Sequence, residues 1–171
     1  MHIRLRKIRL LRRLRKQAAL RRLKRDERGT QLVELAIVLP LFILLLGATA
    51  EFGRYFYEYT TLTKAARLGT RYLATAAVKT TEDTAAKNIV VFGNAAGTGS
   101  PILSGLSASN ITITRTGGVA LLPETVTVTI TGFKHQPIFD LGKLTKSPSL
   151  SMNIDVKPSA TMRYLLTQPA L

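Results

Sequence analysis

The sequence predicts an α+β protein in which a long N-terminal helix, transmembrane in its first half and amphipathic in its second, packs on a small antiparallel sheet. An uncharged apolar run, Leu35 to Ala50, leads into a stretch with helical periodicity, and the C-terminal part alternates with a period of two. We expect four regions: a basic cytoplasmic leader at 1–29, a transmembrane helix at 30–51, an amphipathic helix extension at 52–79, and an extracytoplasmic loop and β-sheet domain at 80–171.

The positive charge is concentrated at the N-terminus. The chain has 171 residues and a formal net charge of +15, and most of its 25 Lys and Arg residues lie at or before Arg28. In this leader the basic residues are interleaved with Leu and Ile and lead straight into the apolar run. An interfacial helix on anionic lipid explains both features, whereas a phosphate-binding nucleic-acid element explains only the charge. We therefore expect contact with the lipid bilayer and no nucleic-acid partner.

The run from Leu35 to Ala50 is too short to cross a bilayer alone. At about 1.5 Å per residue it reaches about 24 Å, and the hydrocarbon core is about 30 Å thick. A helix that starts at Thr30 reaches about 31 Å and places Glu34 near one membrane face. The basic residues before Gly29 predict a cytoplasmic N-terminus and a translocated C-terminal region.

The helical pattern continues beyond the apolar run, so we predict one helix from about Thr30 to about Val78. Pro40 lies inside it and should bend it or loosen one turn. Small residues at Gly47, Ala48 and Ala50 would let neighbouring helices approach closely.

Two sets of residues are predicted on the second half of this helix. The first is an aromatic belt at the membrane interface, formed by Phe52, Tyr55, Phe56 and Tyr59. The second is an apolar stripe at steps of three and four that packs on the sheet. The stripe consists of Phe52, Phe56, Tyr59, Leu62, Ala66, Gly69, Leu73 and Ala76.

Three alternating sets predict the strands of the sheet. They are Ile111 and Ile113; Val126, Val128 and Ile130; and Leu150, Met152, Ile154 and Val156. Gly117-Gly118 offers a turn between the first two strands, and the final TMRYLL adds an edge strand. Ala85 to Phe92 is expected to form a short helix before a connecting loop.

The sequence gives little support for catalysis. Without cysteine it has no disulfide, thiolate nucleophile or Cys-based zinc site. His2 lies in the leader, and His135 is expected to be solvent-facing or bound in a turn. Asp140 and Asp155 have no evident partner for paired-carboxylate chemistry. We predict no enzyme, no cofactor, and no catalytic or metal-binding residue.

The segment from Arg28 to Ala76 resembles the N-terminal region of TadE-like proteins, the pseudopilins of bacterial tight-adherence (Flp) pilus systems. The resemblance rests on the order of a basic leader, a glycine, a glutamate five residues later, Leu-Pro within the apolar helix, and then GRYFY and AARLGTRY. It implies a pilin-like fold and a single-pass protein of the bacterial inner membrane with a periplasmic C-terminal domain. The partners it implies are other pilin or pseudopilin subunits and a prepilin peptidase.

The resemblance also implies roles for three residues. A membrane peptidase would cut between Gly29 and Thr30, which makes Glu34 the fifth residue of the mature chain. The new α-amino group has a reference pKa of about 7.7 to 8.0 and is largely cationic at neutral pH. Glu34, one helical turn away, would pair with this terminus or with that of a neighbouring subunit and so set the axial register.

Other interpretations of the apolar run stay open. Ala48-Thr49-Ala50 fits the A-x-A pattern of a secretory signal peptide, whose cleavage would release a soluble domain that begins at Glu51. An uncleaved signal anchor is a further alternative. The helical pattern continues in phase through the proposed cut, which favours a retained helix.

Overall fold

A computed structural model describes residues 27–167. Within these residues the chain divides into two compact units, with the boundary between Leu46 and Gly47. Its elements are helix α1 (Glu27–Thr75), helix α2 (Thr80–Phe92), strands β1 (Ile111–Thr116), β2 (Thr125–Ile130) and β3 (Phe133–Lys134), the single-turn helix α3 (Leu141–Leu144), and strands β4 (Asp155–Val156) and β5 (Ser159–Arg163). This confirms the predicted α+β class. Most of the basic leader, with its predicted lipid contact and the rival nucleic-acid contact, lies outside the described residues.

Helix α1 is close to its predicted length. It begins three residues before Thr30, ends three residues before Val78, and is assigned as helix without a break at Pro40. Its first half is rich in Leu and Ala, which favour helix. Helix α2 is longer than predicted, because Glu82 and Asp83 in its first turn interact favourably with the helix dipole. It ends at Gly93, which has φ +76°.

The main sheet has three antiparallel strands in the order β1-β2-β5. Ile111 lies opposite Ile130, and Thr125 lies opposite both Thr116 and Arg163. In the central strand β2 the three predicted apolar residues are all buried, and their threonine neighbours are half-buried. The turn at Gly117-Gly118 is confirmed, since both glycines have positive φ.

The third predicted strand, Leu150 to Val156, is wrong over most of its length. Leu150 ends a 3-10 turn that begins at Pro148, and its N–H donates to the carbonyl of Ser147. These local hydrogen bonds turn the backbone away from a sheet ladder. Within the predicted segment only Asp155–Val156 form a strand, and they pair with β3 in a separate two-stranded sheet. The third place in the main sheet is taken by β5, the predicted edge strand.

The second half of α1 packs on the main sheet and α2, as predicted. Leu62, Ala66 and Leu73 are buried in one cluster with the apolar residues of β2. Gly69 permits close approach, because a Cβ there would lie 2.5 Å from Cγ2 of Val90. The Thr70 hydroxyl reaches the carbonyl of Ala160 in β5 at 3.2 Å.

The end of α1 is also tied to the strand that closes the sheet. The N–H of Leu165 donates to the carbonyl of Ala74 at 2.8 Å. The hydroxyl of Tyr164 donates to the carbonyl of Ala76. Burial raises the pKa of Tyr164, so its hydroxyl stays protonated as a donor at neutral pH. These contacts place the β1–β2 connection near the C-terminal end of α1, since Tyr164 N–H also bonds Glu124.

The predicted apolar stripe is correct only from Leu62 onward. Phe52, Phe56 and Tyr59 are exposed, and the packed face continues toward the N-terminus through Glu51, Tyr55 and Glu58 instead. Both sets have helical spacing, so periodicity alone could not separate them. Hydrophobicity favoured the aromatic set, but Glu51 is buried and Glu58 is half-buried, because a histidine distant in sequence pairs with both.

Candidate functional site

The apolar half of α1 exposes most of its side chains. Every residue from Thr30 to Phe42 is exposed, including Leu32, Ile37 and Leu41. The helix is long and apolar enough to cross a membrane, and it lies near the N-terminus. An apolar surface of this extent is unfavourable in water, so the helix indicates membrane anchoring.

Glu34 lies on this exposed helix, within the first two turns after Gly29. No side chain of residues 27–167 forms a hydrogen bond or ion pair with its carboxylate. Any charge partner of Glu34 would therefore come from outside residues 27–167.

Glu51 carries the other carboxylate of interest on α1, and it is almost completely buried, with 3% of its surface exposed. Its Oε1 accepts the backbone N–H groups of Ile138 and Phe139 at 2.9 and 2.7 Å. Its Oε2 lies 3.2 Å from Nε2 of His135 and 3.2 Å from a guanidinium nitrogen of Arg54. The carboxylate therefore fixes the loop after β3 to the helix.

His135 is fully buried, so the prediction of a solvent-facing or turn-bound side chain is wrong. Its Nδ1 lies 2.8 Å from Oε2 of Glu58, and its Nε2 faces Glu51. The ring of Tyr55 packs edge-on against the imidazole, with centroids 5.7 Å apart. Each ring nitrogen therefore has a glutamate carboxylate as its hydrogen-bond partner.

This arrangement joins structural elements and does not resemble a reaction centre. The two carboxylates lie on opposite edges of the imidazole, so they cannot converge with it on one ion. Within residues 27–167 no group of three or more His, Asp or Glu side chains has the geometry of a metal site. What the arrangement provides is hydrogen bonding from two carboxylates on α1 to a buried imidazole and to backbone N–H groups of the segment that follows β3.

Gly47 is covered by the same loop. A Cβ at this position would lie 2.7 Å from Cδ1 of Phe139, so the absent side chain allows the aromatic ring to rest on the helix backbone. The prediction that Gly47 serves helix–helix approach is therefore wrong for this residue, since a ring from the same chain occupies the space. Ala48 remains half-buried, and Ala50 remains exposed.

Comparison with known families adds to this geometry. Residues 29–71 match the family model of TadE-like proteins. This segment is TadE-like. The match confirms the resemblance seen in the sequence and points to tight-adherence pili as the setting in which the chain works. Comparisons with curated proteins and with solved structures gave no match.

The proposed cleavage point lies at the start of the TadE-like segment. Gly29 and Thr30 are both exposed, and no atom lies within 4 Å of the position of an added Cβ at Gly29. Both residues are helical, because α1 begins at Glu27. A peptidase that needs extended backbone would therefore have to open the first turn, where helices fray most readily.

The four predicted interface aromatics of the TadE-like segment do not share one face. Phe52, Phe56 and Tyr59 are exposed on the outer surface of α1. Tyr55 instead packs against the core beside His135. Three of the four residues therefore remain available for the predicted aromatic belt at the membrane interface, whereas Tyr55 is part of the folded domain.

Sequence reasoning missed Glu51, Glu58 and His135 as a unit. The glutamates lie seven residues apart on α1, which places them on one helix face, but they lie more than seventy residues from His135. The one local signal of this site is the helical spacing of Glu51 and Glu58, which places them on the same face as the buried Leu62 and Leu73. It indicated two acids on the packing face, which requires a buried partner.

Proposed function

We propose that this chain is a minor pilin or pseudopilin of a tight-adherence pilus, which acts by helix–helix association in the bacterial inner membrane. The N-terminus would be cytoplasmic and the domain of α2 and the sheet periplasmic. The observation that carries this proposal is the TadE-like match, which covers a helix whose side chains from Thr30 to Phe42 are all exposed within the described part of the chain. Lipid covers that surface before assembly, and neighbouring pilin helices replace it afterwards.

Cleavage between Gly29 and Thr30 would give this helix a specific means of alignment. It would place a cationic α-amino group one turn before Glu34, at the end of an apolar helix. A charged group in lipid is costly, so the terminus and the carboxylate gain most when they pair, within one subunit or between neighbours. Pairing of Glu34 with the N-terminus of a neighbouring subunit would then set the axial register between the two helices.

The alternative is a secreted or simply anchored extracytoplasmic binding domain. Secretory cleavage before Glu51 would remove Gly47, on which Phe139 packs, and would place a new positive terminus beside a carboxylate with four donors already around it. The loss of packing disfavours that cut. An uncleaved anchor keeps all of these contacts and is distinguished by its intact leader.

Photo-cross-linking in cells tests helix association. Benzoylphenylalanine at Ile37, an exposed residue of the apolar half, is expected to form adducts with other pilus subunits, identified by mass spectrometry of the membrane fraction. The same group at Val119, exposed on the β1–β2 connection, serves as the matched control. Adducts from Ile37 with lipid alone, in cells that assemble pili, would contradict the proposal.

A further inference from the structure

The connection between β3 and β4 carries several exposed apolar side chains. We define residues 136–151 as the membrane-proximal loop. Within it Ile138 is 82% exposed, Leu144 is 62% exposed and Leu150 is 51% exposed. Single exposed apolar residues are ordinary on protein surfaces, so their position relative to the rest of the chain decides whether they matter.

The loop is fixed at the point where the apolar run of α1 ends. The backbone N–H groups of Ile138 and Phe139 donate to Glu51, and the ring of Phe139 rests on Gly47. Gly47 itself belongs to the uncharged run that continues to Ala50. The two backbone N–H groups and the imidazole of His135, just before the loop, hold this attachment in place, so the loop has a defined level along the helix.

The length of α1 sets that level relative to a bilayer. From Thr30 to Gly47 the helix rises about 26 Å, and the hydrocarbon core of a bilayer is about 30 Å thick. If Thr30 lies at one face of the core, Gly47 lies at or just inside the opposite boundary. A loop packed on Gly47 then meets lipid or headgroups.

Contacts within the membrane-proximal loop hold it in a defined conformation. Its α3 turn lies against the turn at Pro148–Leu150, and a Cβ on Gly142 would lie 2.7 Å from the N of Ser151. The side chain of Asp140 accepts the N–H of Gly142 and the hydroxyl of Ser151. These contacts do not bury Ile138, Leu144 or Leu150, which stay exposed.

The charges on the loop agree with a lipid surface. Lys143 and Lys146 are both exposed, whereas the acidic residue of the loop, Asp140, is half-buried and already paired. Exposed apolar side chains next to lysines are typical of interfacial segments, in which the apolar groups enter the boundary by about 5 to 10 Å and the cations meet anionic headgroups.

We propose that the membrane-proximal loop is a second membrane contact, formed by Ile138 and Leu144 inserted at the headgroup boundary beside Lys143 and Lys146. This rests on the proposed anchoring of α1 in a membrane. Its consequence is that the folded domain is held against the bilayer at two points. When the subunit leaves the bilayer, the same apolar side chains lose their lipid contact.

Single-tryptophan variants test this directly, because the chain has no tryptophan of its own. Ile138→Trp, Val119→Trp and Ile43→Trp are made in the full chain and placed in phosphatidylethanolamine and phosphatidylglycerol vesicles that contain lipid brominated at known depths. Val119 is 66% exposed and lies near the C-terminal end of α1, about 42 Å of helix rise beyond Gly47. Ile43 reports on the anchor itself.

The proposal predicts that bromolipid quenches Ile138→Trp about twofold or more over Val119→Trp, with greatest quenching by shallow bromines. Leu144→Trp should behave in the same way and replaces Ile138→Trp if that variant fails to fold. Quenching of Ile43→Trp alone would overturn the loop contact and leave the anchor standing. Absence of quenching at Ile43 as well would overturn both. Protection of Ile138→Trp from aqueous acrylamide without quenching by bromolipid would mean that protein covers the loop, and it would also overturn the proposal.

Discussion

Replacing Glu51 with alanine is expected to lower the free energy of unfolding of the folded domain by about 3 to 5 kcal/mol, because hydrogen-bond donors left without an acceptor cost about 1 to 3 kcal/mol each. The substitution leaves Nε2 of His135 and the N–H groups of Ile138 and Phe139 without their acceptor. Thermal unfolding of the full chain in detergent micelles measures the effect, which should reach on the order of 10 °C or more.

Arg54→Ala is the matched control for Glu51→Ala. Its guanidinium pairs with the same carboxylate, but its side chain is 40% exposed, so its loss should cost only about 0 to 1 kcal/mol. Glu58→Ala removes the bond to Nδ1 of His135 alone and should fall between the two. Equal unfolding temperatures for Glu51→Ala and the unmodified chain would mean that the Glu51 carboxylate does not hold the loop on α1.

Glu34→Gln is expected to reduce pilus assembly strongly while membrane insertion stays normal. If the carboxylate meets a cationic terminus inside an assembled helical bundle, its neutralisation costs about 2 kcal/mol or more per contact, and every 1.4 kcal/mol is about tenfold in association. Pilus counts by electron microscopy and recovery of partner subunits measure assembly, and extraction from the membrane fraction measures insertion.

Comparison of Glu34→Gln with Glu51→Gln separates assembly from folding. The two substitutions make the same chemical change on the same helix, but Glu34 is exposed and Glu51 is buried. Glu34→Gln should leave the unfolding temperature unchanged, whereas Glu51→Gln should lower it. Normal pili from Glu34→Gln cells would remove this residue from the mechanism.

The main elements could be predicted from the sequence because their signals are local. The apolar run, the continuing helical period and the alternation in Val126, Val128 and Ile130 each reflect one element and one buried face. The segment around Leu150 carried the same alternation and failed, since Pro148 and short-range hydrogen bonds made it turn. Periodicity did not indicate which of two competing segments would pair with β2.

The buried site could not be predicted because it joins residues far apart in sequence. No local pattern indicated that His135 would reach α1, and a histidine in a loop is by default expected to face solvent. The preference for Phe52 and Phe56 as packing residues followed hydrophobicity, but a membrane protein can expose aromatics to lipid and bury paired charges in its domain. The choice between these faces depended on the tertiary fold.

Cleavage after Gly29 can be measured by the intact mass and N-terminal sequence of the membrane-extracted protein, from cells with and without a prepilin peptidase. We predict a chain that begins at Thr30 only when the peptidase is present, which would give Gly29 and Glu34 their proposed roles. A start at Glu51 would identify a secreted soluble domain, and Met1 retained in both strains would identify a plain anchor. Either of these results would contradict the pilin account.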